Sequence, residues 1–351
     1  MYRQIALLLI GILIGSTFTM YFQGRDIESR EPERVIRVGA LRAIYHEIYL
    51  IKGLGLDEYV PAEVEVKIYP HGTAMMTAFQ AGELDIMYVG TVPAMNAFSA
   101  GAKIKVIAGT NLGGTSLVIN KSSGIKRLKD IKGKKILVPG PHNFQDVVLR
   151  AIILPRANLT EEDVIIEYEG DKGMMIHRLV SGEADAAIVW EPHVTRMLFD
   201  ENMNRRENIE VLVPWNEIIS EDPSKGYRYS SSCLVVGEEF LRENEDLVRA
   251  WVLIHALAIE YWKRNPKKAS EIISREMERI AQVSISPEMV EEAFKRVRLS
   301  LDPAIDSMKL FSEKSHELGF SKEKVDVEKL YYPEIQREVE RIMRELFHEQ
   351  Q

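Results

Sequence analysis

The sequence predicts an α/β protein of two similarly built lobes facing each other across a cleft, with extra C-terminal helices. Three observations predict it. First, Ala81-Gly82-Glu83-Leu84-Asp85-Ile86-Met87-Tyr88-Val89 is nearly repeated as Ser181-Gly182-Glu183-Ala184-Asp185-Ala186-Ala187-Ile188-Val189, an offset of 185 − 85 = 100 residues. Each copy follows an amphipathic run and precedes a proline, Pro93 or Pro192. A unit of helix, tight turn, short buried strand and helix thus occurs twice. Second, strand-like and helix-like runs alternate on both sides of Gly113-Gly114, the order of a mostly parallel sheet covered on both faces. Third, the pattern from Glu238 onward is helical only. A cleft between two domains is a favoured place for a small ligand.

The elements follow in order. Arg34–Gly39 and the alternating Val64–Tyr69 read as strands, with a helical period over Ile44–Lys52 between them. Thr73–Ala81 reads as a helix closed by Gly82. Strands at Ile86–Val89 and Ile104–Ala108 flank a helix over Val92–Ala100. After Gly113-Gly114 the alternation restarts. Strands fall at Ser116–Ile119, Lys135–Val138, Val164–Glu167, Ala186–Val189 and Ile209–Val213, and helices at Phe144–Ala157, Met174–Ser181 and His193–Phe199. Gly226–Ser232 breaks the chain again before a strand at Cys233–Val236. Helices are expected at Leu247–Arg264, Pro266–Gln282, Pro287–Val297, Ile305–Leu318 and Pro333–His348, packed back on the first lobe. The expected lobes are 34–112 with 230–334, and 113–229, leaving 335–351 as a charged C-terminal helix. The chain would cross between lobes near Thr110–Gly114 and Tyr227–Ser232.

The chain has 351 residues and a formal net charge of −8. It carries no basic footprint for nucleic acid. The single cysteine, Cys233, excludes an internal disulfide and a cysteine-based metal site. It lies in an apolar run and reads as a buried structural thiol. At the N-terminus, Arg3 precedes an apolar stretch from Ile5 to Phe22. That stretch reads as an uncleaved membrane anchor, or else as a cleaved export signal, with 24–33 as a tether. Either way the body is expected outside the cytoplasm.

In open α/β sheets, ligands bind beyond the carboxyl ends of the strands. Glu83, Asp85, Glu183 and Asp185 lie at amino ends and read as capping residues, not an acid/base pair. The carboxyl ends supply Arg42, Tyr45, His46, His71, Gly90, Thr91, Thr110 and Asn111 in the first lobe. The second supplies Gly140, His142, Asn143, Lys172, Trp190 and Glu191, and Tyr229 stands at the second crossing. Helices starting at Gly90-Thr91 and His142-Asn143 would favour an anionic or oxygen-rich ligand, and plain N-capping by Thr91 and Asn143 is the competing role. Arg42, His46, His71, His142 and Lys172 would balance an anion. Trp190 would wall the pocket. Glu191 would repel an anion unless paired or turned outward, which leaves a cationic or amine-bearing solute open. The Met75-Met76 and Met174-Met175 pairs read as core. The sequence holds no nucleophile elbow, no phosphate-cradling loop and no His-Glu-x-x-His helix, so no catalytic residue, metal or cofactor is expected.

Over about Arg34 to Asn265 the sequence resembles the extracytoplasmic solute-binding proteins of ABC importers, of the nitrate/sulfonate/taurine type. These share a fold with the thiamine-precursor group. The residues carrying the likeness are Val38-Gly39; Gly82-Glu83-Leu84-Asp85-Ile86 with Val89-Gly90; Ile125-Lys126-Arg127-Leu128-Lys129-Asp130-Ile131-Lys132-Gly133-Lys134-Lys135-Ile136; and Leu179-Val180-Ser181-Gly182-Glu183-Ala184-Asp185-Ala186 with Trp190-Glu191-Pro192. The resemblance implies a two-lobed, type II periplasmic-binding-protein-like fold. It further implies closure on one small solute and docking of the closed form on a membrane permease; an anionic or zwitterionic solute and a monomer are expected. A small sulfonate, nitrate or related oxyanion is favoured. The chain lacks the lipobox cysteine of lipoprotein relatives. Two other functions share this pattern: a biosynthetic enzyme of thiamine or menaquinone pathways, and a membrane-tethered sensor.

Overall fold

The computed structural model describes residues 34–348. The expected anchor or signal and its tether, 1–33, lie outside the described residues. The first half holds β1 (Val35–Leu41), α1 (Ile48–Gly53), β2 (Glu63–Tyr69), α2 (Gly72–Gln80), β3 (Ile86–Gly90), α3 (Thr91–Ser99), β4 (Ile104–Gly109) and β5 (Asn111–Gly113). Next come β6 (Thr115–Asn120), β7 (Lys135–Val138), α4 (Phe144–Val148, continued through Leu149–Ile153 and Leu154–Arg156), β8 (Ile165–Tyr168), α5 (Lys172–Val180), β9 (Ala186–Trp190), α6 (His193–Leu198) and β10 (Ile209–Val213). The chain ends with β11 (Ser232–Gly237), α7 (Glu245–Arg264), α8 (Pro266–Ala281), α9 (Pro287–Ala293), β12 (Val297–Leu299), α10 (Ile305–Glu317) and α11 (Pro333–His348).

Two five-stranded sheets form, in the orders β2-β1-β3-β11-β4 and β8-β7-β9-β6-β10. They match position for position. In each, the first three strands are parallel, and the fourth is antiparallel to both neighbours. The sheets are therefore mixed rather than mostly parallel. Strand β11, which follows the second crossing, inserts between β3 and β4 and runs against them.

The repeated motif has one local cause in both sheets. Gly82 (φ 74°) and Gly182 (φ 82°) adopt the left-handed conformation that ends a helix and that glycine accepts without a Cβ clash. Three residues on, a carboxylate caps the start of the neighbouring strand. Asp85 accepts from the Arg37 backbone N–H at 2.8 Å, and Asp185 from that of Lys135 at 2.8 Å. Asp85 also accepts two bonds from the Arg37 guanidinium, at 2.6 and 2.9 Å. The motif thus pins β3 to β1 and β9 to β7, at the strand ends opposite the cleft.

Helix boundaries differ from expectation at two instructive places. The helix expected from Ile44 begins only at Ile48, because the chain turns there: the His46 N–H donates to Ala43 O and the Leu41 N–H donates to His46 Nδ1. The helix expected over Pro287–Val297 stops at Ala293, and Val297–Leu299 instead pairs antiparallel with Asn111–Gly113 at the first crossing. Met174, expected in the core, is half exposed, whereas Met75, Met76, Met175 and Cys233 are buried. Helix α7 carries the fully buried Trp251 into a core shared with β1, β3 and β4, and α11 packs on α7 and β4. The C-terminal helices do not keep to the first sheet: α9 packs on α6, and α10 on both α3 and α4. No helix among the described residues is long and apolar enough to cross a membrane.

Candidate ligand cleft

A cavity of about 450 Å³ lies where the carboxyl ends of both sheets meet. The first sheet's side is built from the turn after β1 (Ala43, Tyr45, His46), the start of α2 (His71, Gly72, Thr73) and Gly90 with Pro93. The second side is built from Pro139-Gly140-Pro141 and Asn143 after β7, Tyr168 and Gly170 at the end of β8, Lys172 opening α5, and Trp190 ending β9. Tyr45, His46, His71, Gly90, Gly140, Asn143, Lys172 and Trp190 thus stand together, as the strand-end rule places them.

The geometry fixes several protonation states. His46 accepts from the Leu41 N–H through Nδ1 at 3.1 Å, so its proton sits on Nε2, which lies 2.9 Å from Ser232 Oγ. That hydroxyl donates onward to Val89 O at 2.9 Å. Burial holds the His46 pKa down to about 3, with the nearby His255 adding to the effect, so this ring is neutral. His71 caps α2: its Nδ1 accepts from the Ala74 N–H at 3.2 Å. Lys172 lies 5.2 Å over the Trp190 ring and donates to Gly170 O at 2.6 Å. Burial lowers its pKa to about 8, partly opposed by Glu169 and Asp171. Among the described residues, those lining the cavity include this lysine and no carboxylate. Much of the rest of the wall is apolar or aromatic: Leu41, Ala43, Tyr45, Pro93, Pro139, Pro141, Phe144, Tyr168 and Trp190.

The remaining sequence candidates do not line the cavity, each for a local reason. Arg42 points to α8 and donates to Ala281 O at 3.1 Å. Thr91 donates through its hydroxyl to Ser230 O at 2.9 Å and through its N–H to Ser231 O at 3.2 Å, so these donors are taken. Thr110 donates to Ser232 O, and Asn111 to Gly113 O and Ser231 Oγ, tying the first crossing to the second. His142 stacks on Phe320 with ring centres 4.1 Å apart, and its N–H donates to Asp146. Asp146, fully buried in the first turn of α4, already places a negative charge at that helix start, with Arg150 at 2.8 Å. Tyr229 Oη bonds the Thr115 N–H and carbonyl at 3.0 and 3.2 Å. Glu191 is fully buried behind Trp190, paired with Arg296 at 2.6 Å. Among Glu83, Asp85, Glu183 and Asp185, none lines the cavity.

Sequence reasoning missed Ser231, Ser232, Gln145 and Tyr168. Gln145 donates to Thr115 Oγ1 at 3.0 Å, and Tyr168 Oη donates to Asp146 at 3.1 Å, which orients its ring as a wall.

Two pseudo-equivalent sheets sharing a cleft at their carboxyl ends define the periplasmic-binding-protein fold. Comparison with known proteins narrows this. Residues 52–226 match the family described as "ABC transporter, phosphonate, periplasmic substrate-binding protein". A binding protein of Brucella abortus is 25% identical over 221 residues, 63% of this chain and 64% of that protein. An aliphatic sulfonates-binding protein of Bacillus subtilis is 25% identical over 227 residues, 64% of this chain and 63% of that protein. The chain spans just under two thirds of the length of these curated relatives. Among solved structures, the aliphatic sulphonate binding protein SsuA of Escherichia coli superposes with a TM-score of 0.67 at 16% identity, covering 84% of this chain and 96% of that one. The nitrate-binding protein NrtA of Synechocystis gives 0.70 at 11% identity, covering 90% of each. The chain therefore has the periplasmic-binding-protein fold, and its sequence is similar to ABC-type periplasmic binding proteins of the sulfonate and phosphonate kind, in line with its sequence resemblance.

Proposed function

We propose that this protein captures a small organic anion, a sulfonate above all, by hinge closure of its two lobes and delivers it to an ABC permease. It works by differential affinity for two shapes rather than by covalent chemistry. The observation that carries the reading is the charge of the cleft wall: among the described residues Lys172 lines it and no carboxylate does. The sequence left a cationic solute open on account of Glu191. The pairing of that carboxylate with Arg296 removes the motive. The aromatic and proline walls and the volume of about 450 Å³ suit an anion with an apolar body better than a bare inorganic ion.

The lobes follow the sheets: 34–112 with 230–334, and 113–229, hinged at the two crossings. The apolar stretch at residues 5–22 supports an extracytoplasmic location, tethered or secreted. Monomeric action is part of the same proposal.

The test is a thermal-shift screen of the full-length chain in mild detergent. The panel holds alkanesulfonates, taurine, nitrate, bicarbonate, aromatic carboxylates and amines of matched size. A ligand at a hundred times its Kd raises stability by about 2.7 kcal/mol. An organic anion is expected to raise the melting temperature, with the rise lost in Lys172→Met. A rise with amines alone overturns the anion assignment.

A further inference from the structure

The pairing of Glu191 has a consequence beyond charge removal. Glu191 Oε1 takes Arg296 Nε at 2.6 Å, and Oε2 takes the Thr195 N–H at 3.1 Å and its hydroxyl at 2.8 Å. Arg296 also donates to Thr195 Oγ1 at 2.7 Å and to Glu292 at 3.1 Å. Every guanidinium nitrogen is thus engaged, and the carboxylate is fully buried. The partners come from different bodies. Glu191 and Thr195 belong to the end of β9 and to α6, in the second sheet's lobe. Arg296 and Glu292 come from the C-terminal arm, which is joined through α8 to α1 of the first. Just after Arg296, Val297–Leu299 pairs with the first crossing. Trp190, Phe199 and Met203 of the second lobe pack against the core that contains Phe294 and Trp251.

We propose that Arg296 is a positioning residue: by clasping Glu191 to the C-terminal arm it sets the opening between the two lobes and holds Trp190 at the cleft wall. The backbone carries the effect, because Glu191 follows Trp190 directly and its N–H donates to Gly114 O at the first crossing. The clasp is a property of the two lobes and does not depend on which solute the cleft takes.

The test is a distance measurement by pulsed electron resonance on the full-length chain, with spin labels at Thr77→Cys and His177→Cys. These exposed positions lie on α2 and α5, one in each lobe, the same 100 residues apart as the repeat. The native Cys233 is buried, and burial pushes its thiol pKa up, so it stays unlabelled. Arg296→Met is expected to shift the interlobe distance to longer values and broaden it, and Arg296→Lys to restore part of the narrow distribution. Glu191→Gln, which keeps an acceptor for Thr195, is expected to move it in the same direction by less. An Arg296→Met chain that melts cooperatively and keeps the wild-type distribution overturns the proposal. Should Arg296→Met fail to fold, an unchanged distribution in Glu191→Gln overturns it equally. Ligand affinity is read separately: a wild-type chain that binds no organic anion refutes the proposed function and leaves the distance result standing.

Discussion

Lys172 makes the proposed function testable by pH. Its pKa is lowered to about 8 by burial, and Glu169 and Asp171 raise it only in part. His193 nearby is held neutral by its own burial and does not titrate in the same range. An anion in the cleft favours charged Lys172, so binding takes up a proton wherever the free protein has lost it. At pH 9 roughly a tenth of the free chains carry that charge, from a pKa of about 8. Affinity for an alkanesulfonate, which does not itself titrate there, should fall about tenfold between pH 7 and pH 9, or ~1.4 kcal/mol. The assay is isothermal titration calorimetry at pH 7, 8 and 9, in buffers of different ionisation enthalpy that report the proton uptake. Lys172→Met should weaken binding at pH 7 by about 1.5–3 kcal/mol, the worth of a charge-assisted hydrogen bond, and flatten the profile. A wild-type Kd constant from pH 7 to pH 9 refutes the role of Lys172. The same shift acts on the free protein with a defined sign. Between about pH 8 and the ordinary lysine value of 10.5, the unfolded chain binds this proton and the folded chain does not, so this residue makes stability rise with pH across that window.

Two further perturbations probe the crossings. Gly109→Ala puts a Cβ 2.3 Å from Asp302 O, a backbone atom, so the β4 end and the Asp302-Pro303 backbone beside it must separate. The expected cost is about 1–3 kcal/mol, seen as a lower denaturant midpoint, and an unchanged midpoint refutes the close approach. Tyr229→Phe removes the hydroxyl that bonds both the N–H and the carbonyl of Thr115. Leaving that buried N–H unmet costs about 1–3 kcal/mol, read from the same unfolding curves.

Much of the fold was legible because its causes are local. The strands β7 and β10 fall on their expected residues, since alternation and flanking turns mark them. The two-lobe plan was legible from the 100-residue repeat, because Gly82 and Gly182 end helices and Asp85 and Asp185 cap strands within a few residues of each other. The sheet order was less so. Nothing in Ser232–Gly237 says that it inserts between β3 and β4, since that pairing joins residues more than a hundred apart. The same insertion explains the missed serines. The strand-end rule looks beyond carboxyl ends, but β11 runs antiparallel, so its amino end, with Ser231 and Ser232, faces the cleft.

Charge is where sequence position misleads most. Thr91 and Glu191 occupy equivalent places in the two repeats, each directly after a strand that ends at the cleft wall. Both look poised for ligand, yet both are claimed by residues distant in sequence: Thr91 by Ser230 and Glu191 by Arg296. A buried carboxylate left without its partner costs about 3–5 kcal/mol, so the partner, not the strand end, decides which way such a side chain turns. Gly90 and Trp190, just before them, keep their places on the wall because a glycine and an indole ring make no such demand. The cleft's electrostatic character therefore depends on a guanidinium that does not line it. A chain with Glu191 in place and Arg296→Met should lose anion affinity even with Lys172 intact.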